Sequence, residues 1–347
     1  MNNNSNQQTE VIVSVPRKYA EANESKEPDY WDYKNYQIKF NEPEGYELIK
    51  KIGRGKYSEV YEGIDSSNDN RIVVKILKPV KDEKYKREIK ILEAVNGCVN
   101  VIKLLDKVYD APSQTPALIM EFVDTKDEDF RELYSKFTDL DIRYYMYEIL
   151  RGLDDCHSRG IMHRDIKPHN IMIDHENKKL RIIDWGLAEF YHRGEEYNVR
   201  VASRYFKGPE LLVGYRTYDY SLDMWSLGCM FAGMIFQREP FFKGKSNPDQ
   251  LVKIARILGT SDLHRYLMKY GIILDDDYME EIGSHERKDW SKFINSKNKS
   301  LCSKEALEFL SNLLVYDHSR RILPCEAMEL DYFKPVRKYY QEDSMST

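Results

Sequence analysis

The residues best suited to chemistry fall in one short stretch, Ile161–Asn170, which reads Ile-Met-His-Arg-Asp-Ile-Lys-Pro-His-Asn, and in Asp184-Trp185-Gly186 downstream of it. A phosphoryl group moving between two oxygens asks for a carboxylate to orient the attacking hydroxyl and a cation against its own oxygens. It also asks for an amide and a second carboxylate to hold magnesium. Asp165, Lys167, Asn170 and Asp184 are those types in that order. Taken singly, each would be an ordinary turn residue, helix cap or solvated group. Their joint spacing carries the reading: His-Arg-Asp, an Asn five after the Asp, then Asp-aromatic-Gly.

Such a set must be positioned, and the upstream sequence supplies the elements. Tyr46–Ile52 reads as a strand, Tyr61–Ile64 as a second, and between them lies Gly53-Arg54-Gly55-Lys56-Tyr57-Ser58-Glu59-Val60. Glycines at a strand-to-strand turn let backbone amides approach a phosphate. Standing alone, the Gly-x-Gly would be a plain hairpin turn. Arg71–Leu77 is β-branched around one central lysine, and its period of two puts Val73, Lys75 and Leu77 on one face. A lysine in mid-strand is costly unless paired. Glu88, on a helix expected over Lys84–Val95, is its partner, and the glycines upstream favour a phosphate-binding role for Lys75 over a lysine snorkelling from a strand end.

Ala117–Val123 forms a further strand, and the polar stretch after it marks the hinge between a small β-rich lobe and a larger helical one. Leu140–His157 is an amphipathic helix running up to the catalytic stretch. The segment from Asp184 to Gly208-Pro209-Glu210 carries Arg200, Arg204 and Lys207, which read equally as a local anion site or as solvated, ion-paired side chains. It also offers Ser203 and several tyrosines as phosphate acceptors. Asp223 opens an apolar helix through Ile235, too short to cross a membrane. Arg238–Lys299 is charged and irregular, with local helices, and is expected to form surface insertions. Arg321 is a candidate ion-pair partner for Glu210.

Composition bounds the rest. The chain has 347 residues, 41% hydrophobic and 32% charged, with a net charge of −5. That length favours two lobes over a single core, and the charge argues against a generally basic nucleic-acid binder. Five scattered cysteines make neither a disulfide framework nor a CxxC pair, which suits a reducing compartment. With no signal peptide and no membrane-spanning run, the expected location is cytoplasmic and nuclear, with no direct nucleic-acid or membrane binding. His157, His175 and His192 lack metal-ligand spacing.

These motifs match the protein-kinase signature. The chain resembles eukaryotic protein kinases, with Lys167 two after Asp165 similar to the serine/threonine class. More closely it resembles the catalytic alpha subunits of casein kinase II, on Tyr30-Trp31-Asp32-Tyr33, the glycine loop, Asp184-Trp185-Gly186, Arg200–Lys207 and Gly208-Pro209-Glu210. The resemblance runs from about Tyr19 to about Phe333.

It implies an α+β bilobal protein-kinase fold, a small β-rich N-lobe with one major helix and a larger, mostly helical C-lobe. The divisions it suggests are a disordered tail at 1–18, a segment packing on the kinase body at 19–45, the N-lobe at 46–122, the C-lobe at 123–335 with the activation segment at 184–210, and a flexible tail at 336–347. It implies ATP, and in this family also GTP, with Mg2+. Asp165 corresponds to the catalytic base, Lys167 to the γ-phosphate cation, Asn170 and Asp184 to metal ligands, and Lys75 with Glu88 to the phosphate-anchoring pair. Gly53, Arg54, Gly55 and Ser58 would cover the phosphates. Val60, Val73, Met172 and Ile183 would line the purine pocket, with Glu121 and Val123 at the hinge backbone.

The family phosphorylates Ser or Thr followed by acidic residues, which favours the anion-site reading of Arg200, Arg204 and Lys207. It pairs with a regulatory beta subunit as two alpha and two beta chains, and Tyr46, Leu48, Tyr61, Val74 and Ile119 fall at that outer surface. The other implication of the same fold is a pseudokinase scaffold, disfavoured by the presence of Lys75, Glu88, Asp165, Asn170 and Asp184.

Two departures stand out. Ser58 replaces the third glycine of the kinase loop, which predicts a stiffer loop. The family's lysine run before the small-lobe helix is interrupted as Lys81-Asp82-Glu83-Lys84. This predicts weaker reading of acidic residues distal to the acceptor.

Overall fold

The computed structural model describes residues 13–55, 57–78, 82–126 and 129–346; the expected N-terminal tail and Lys81 lie wholly or largely outside them. A short helix α1 (Pro28–Trp31) precedes a five-stranded antiparallel sheet: β1 (Tyr46–Arg54), β2 (Ser58–Asp65), β3 (Asn70–Leu77), β4 (Leu104–Asp110) and β5 (Thr115–Glu121), in the order β1-β2-β3-β5-β4. Helix α2 (Asp82–Ala94) joins β3 to β4. The remainder is mainly helical, giving the mixed α+β, two-part architecture of the kinase fold.

Register shows how the sheet divides its labour. Val60 pairs with Lys75, and Val73 with both Glu62 and Met120, so these residues share the face that looks toward α2. The alternate residues Ile72, Val74 and Ile119, with Val108 and Ala117, form a separate small cluster on the other face. The period of two is the cause: side chains of successive strand residues point to opposite faces.

Helix α3 (Phe130–Ser135) leads to α4 (Asp139–Ser158), whose start is set by a capping box between Thr138 and Asp141. Short pairs β6 (Ile161–Met162) with β9 (Glu189–Phe190) and β7 (Ile171–Asp174) with β8 (Lys179–Ile182) frame the catalytic stretch. After α5 (Pro209–Leu212), helix α6 (Ser221–Phe236) is buried on all sides. At Gly228 an added Cβ would lie 2.8 Å from Leu314, so only glycine permits the close approach of the chain that follows α10 (Lys304–Leu313).

Residues 238–299 correct an expectation. They are not surface insertions: α7 (Asn247–Leu258) buries Leu251, Val252, Ile254, Ala255 and Leu258, and α8 (Thr260–Lys269) buries Leu263 and Tyr266. The apolar residues recur at helical spacing, with charges confined to the opposite face. Helix α9 (Asp276–Ile282) follows; α11 (Pro324–Met328) and α12 (Lys334–Ser346) complete the chain. Among the described residues no helix is long and apolar enough to cross a membrane.

Candidate active site

Lys75 reaches from β3 to Glu88 of α2 at 2.6 Å and to Asp184 at 3.0 Å. Burial opposes its charge, but Glu88 and Asp184 together outweigh that and hold the ammonium above its ordinary value. Lys75 in turn holds the Asp184 carboxylate below its usual range. Asp184 takes a left-handed backbone, φ 59°, which turns it into the cleft; Asp tolerates that region better than most residues. Gly186 keeps α2 close, since a Cβ there would stand 3.3 Å from Glu88 Oε2.

The catalytic stretch is held from below. Asp223, in the first turn of α6 and 1% exposed, accepts the backbone N–H groups of His163 (2.9 Å) and Arg164 (2.8 Å) and pairs with His157 Nε2 at 2.9 Å. His163 Nε2 meets the carbonyl of Ile183 at 3.0 Å and its ring packs edge-on against Trp185, tying the stretch to Asp184. Sequence reasoning marked Asp223 only as a helix start; its partners are some sixty residues away in the chain.

Around Asp165 four groups converge. Lys167 Nζ donates to Asp165 Oδ2 at 2.7 Å and to Ser203 Oγ at 2.8 Å. Ser203 donates its N–H (2.9 Å) and hydroxyl (3.1 Å) to Asp165 Oδ1. Asn170 Nδ2 donates to the Asp165 backbone oxygen (2.8 Å) and to Oδ2 (3.1 Å). Ser203, read from sequence as an acceptor for phosphate, is thus drawn into the Asp165 network. Nothing in its local sequence signals this, because the contact spans 38 positions.

Because the Asn170 amide nitrogen is committed to Asp165, its oxygen is left as the acceptor, and Asp184 offers a carboxylate half open to solvent. Among the described residues no group of three or more His, Cys, Asp or Glu could hold a metal by itself. Two hard oxygen donors fit magnesium, which keeps waters and phosphate oxygens as its other ligands.

The expected nucleotide residues lie around this core. Val60 and Val73 share the face of Lys75, while Met172 on β7 and Ile183 after β8 come from the larger lobe; all four are half-buried. In the glycine loop, Gly53 sits over Val60, Arg54 is exposed, and the Gly55 N–H bonds the Ser58 carbonyl at 2.9 Å. The buried Ser58 hydroxyl would stand 3.3 Å from a Cβ at Gly55. The Glu121 side chain turns away from the hinge to Arg181 (2.7 Å) and Lys179 (2.9 Å) of β8. Val123 follows it and packs on the main core.

The activation segment is held by hydrogen bonds, ion pairs and packed rings. Arg164, 2% exposed, donates to the Leu187 carbonyl (2.7 Å) and Tyr218 hydroxyl (3.0 Å) and lies 3.5 Å from Glu189, which Arg87 of α2 also pairs at 3.0 Å. The N-terminal segment covers it. Asn23 donates to the carbonyls of Gly160 and Tyr191, Tyr30 packs edge-on against Phe190 at 5.6 Å, and Trp31 against His192 at 4.8 Å.

The expected cations are not alike in placement. Arg200 and Arg204 are exposed. Lys207 is 7% exposed, donates to the Val201 carbonyl, and burial lowers its pKa, so its charge faces inward in this state. Lys84 lies over the Tyr57 ring at 4.4 Å, beside the glycine loop. On the outer sheet face, Tyr46, Leu48, Val74 and Ile119 line a cavity of about 310 Å³, with Tyr61 packed on the cluster beneath.

The protein kinase domain matches residues 46–333, from the first residue of β1 to the turn before α12, and so takes in every element that carries Lys75, Glu88, Asp165, Asn170 and Asp184. Domains of this kind use ATP with Mg2+ and transfer phosphate. With the paired lysine, the converging Asp165 network and that match over most of its length, the chain belongs to the protein kinase family.

Proposed function

We propose that this protein is a serine/threonine kinase of the casein kinase II catalytic alpha type. It transfers the γ-phosphate of ATP, or of GTP, to Ser or Thr followed by acidic residues. The observation that supports phosphoryl transfer is the bridge from Lys167 to both Asp165 and Ser203 (2.7 and 2.8 Å), which gathers a carboxylate, a cation and a hydroxyl in one place. Asp165 orients the hydroxyl and takes its proton; Lys167 faces the γ-phosphate oxygens. Lys75, held by Glu88, anchors the other phosphates, and Val60, Val73, Met172 and Ile183 enclose the base. Asn170 and Asp184 would hold magnesium, which would supply positive charge against the phosphates. Positioning and preorganised charge account for such catalysis, since the protein forms no covalent bond.

Arg200 and Arg204 support acidic recognition because they stand exposed beside Ser203. Lys207 joins them when an acidic group draws it from the Val201 carbonyl. The N-terminal segment packed on Phe190 and His192 favours constitutive activity. The cavity at Tyr46, Leu48, Val74 and Ile119 suits the regulatory beta subunit in a tetramer of two alpha and two beta chains. Cytoplasmic and nuclear residence belongs to the same reading. Magnesium-dependent transfer of label from radioactive ATP to an acidic serine peptide tests it. Asp165→Asn and Lys75→Met should each abolish transfer while keeping a cooperative thermal transition, at lower Tm for Lys75→Met, which leaves Glu88 without its cation; retained activity in either refutes the assigned roles, and no transfer by the unmodified protein leaves a scaffold.

A further inference from the structure

Beside Arg204 the structure places two lysines that belong to no motif. Arg204 Nη1 donates to the backbone carbonyl of Lys245 at 2.7 Å, joining the activation segment to the Lys243-Gly244-Lys245 turn before α7. That turn is held by Gln250, 0% exposed. Its amide nitrogen donates to the carbonyls of Tyr205 (3.2 Å) and Phe242 (3.3 Å), and its oxygen accepts the Gly244 N–H at 2.8 Å. A Cβ at Gly244 would fall 2.5 Å from the Gln250 Cα, so glycine alone permits this approach. Lys245 N–H is tied to Asp249 at 2.7 Å, and Asp249 also pairs with Lys253 at 3.4 Å.

The backbone of the turn is therefore fixed against Arg204 and Tyr205, one and two residues after the Ser203 that touches Asp165. Lys243 and Lys245 are both exposed. Long cationic side chains on a rigid backbone lose less freedom on binding an anion than the same side chains on a mobile loop. Arg204 and the two lysines together make a cationic cluster one residue after Ser203, which touches Asp165. We propose that Lys243 and Lys245 form, with Arg204, a subsite that reads acidic side chains of the substrate chain beyond those next to the acceptor. The proposal rests on the acidic-substrate reading above, and it supplies cations at a place separate from the interrupted run at Lys81–Lys84.

The test uses the full-length protein and serine peptides in a neutral background, each with a single glutamate at one position after the acceptor. The quantity read is the ratio of kcat/KM for each glutamate peptide to that of the glutamate-free peptide. In K243A/K245A this ratio should fall about three- to tenfold at one or more positions, as expected for one or two solvent-exposed ion pairs. In K243E/K245E it should fall further, and the difference should shrink with added salt. Lys304→Ala, which removes one exposed lysine charge at the start of α10, should leave the ratios as they are. A wild-type preference that survives both double substitutions within about twofold overturns this proposal alone. A wild-type enzyme that transfers phosphate but is indifferent to glutamate everywhere overturns acidic recognition, and this proposal with it.

Discussion

At the scale of single residues, the site is a set of charged groups whose costs cancel only in combination. Lys75 is largely buried, and its charge is held by two carboxylates that meet it at 2.6 and 3.0 Å. Ser203 illustrates the finer level. Its hydroxyl donates to Asp165 and receives from Lys167, so removing it unfastens both reacting groups. Ser203→Ala should lower kcat about tenfold, the equivalent of ~1.4 kcal/mol and typical of a hydrogen bond to a charged group. Ser203→Thr, which keeps the hydroxyl, should stay within about threefold. Equal activity in the two variants would reduce Ser203 to a packing residue.

At the scale of elements, the N-terminal segment and the activation segment behave as one packed unit. Tyr30 covers Phe190 of β9 and donates its hydroxyl to the Arg159 carbonyl at 3.0 Å. Tyr30→Ala removes a partly buried aromatic and should cost about 2 kcal/mol. Differential scanning calorimetry should show a lower Tm. If the segment positions β9, specific activity should fall at temperatures well below that Tm; a lower Tm with full activity would leave the segment purely structural. The packing of this segment on the kinase body was expected through the family resemblance carried by Tyr30-Trp31-Asp32-Tyr33, and burial of aromatic surface is its physical reason. The burial of α7 and α8 was not, although local helices were expected there: their charged faces dominate a linear reading, and the apolar stripes emerge only when taken at a period of 3.6.

At the scale of the molecule, the end of the activation segment is bolted to the far part of the larger lobe. Arg321 pairs bidentately with Glu210 at 2.6 and 2.7 Å across 111 positions, and both side chains are 0% exposed. Burial opposes ionisation of Glu210, but Arg321 outweighs it and holds the carboxylate below its usual range. A pKa depressed on folding gives stability that is complete above the unfolded value, about 4.3, and lost as the pH falls below it. Arg321→Met strands a buried carboxylate and should cost about 3–5 kcal/mol at neutral pH. Chemical denaturation should show that deficit shrinking in Glu210→Gln/Arg321→Met, where no charge is left unpaired. An equal deficit in the double variant would point to lost packing instead of lost compensation.

What the sequence by itself determined is the chemistry: the order and spacing of Asp165, Lys167, Asn170 and Asp184, and the demand of a mid-strand Lys75 for a carboxylate on the following helix. Those are local constraints, set by residue type, strand period and the cost of an unpaired charge. Arg321 was a candidate partner for Glu210 in sequence, with an ordinary surface arginine as the alternative, and the structure buries the pair. Only the tertiary structure decided that Asp223 holds the catalytic stretch, that Ser203 joins Asp165, that Lys207 turns inward while Arg200 and Arg204 face out, and that Gln250 brings Lys243 and Lys245 beside them. Each of these contacts closes a loop of chain whose ends carry no shared sequence pattern. Which ends meet is set by the packing of α6 and α7 against the activation segment, and that packing is a property of the whole core.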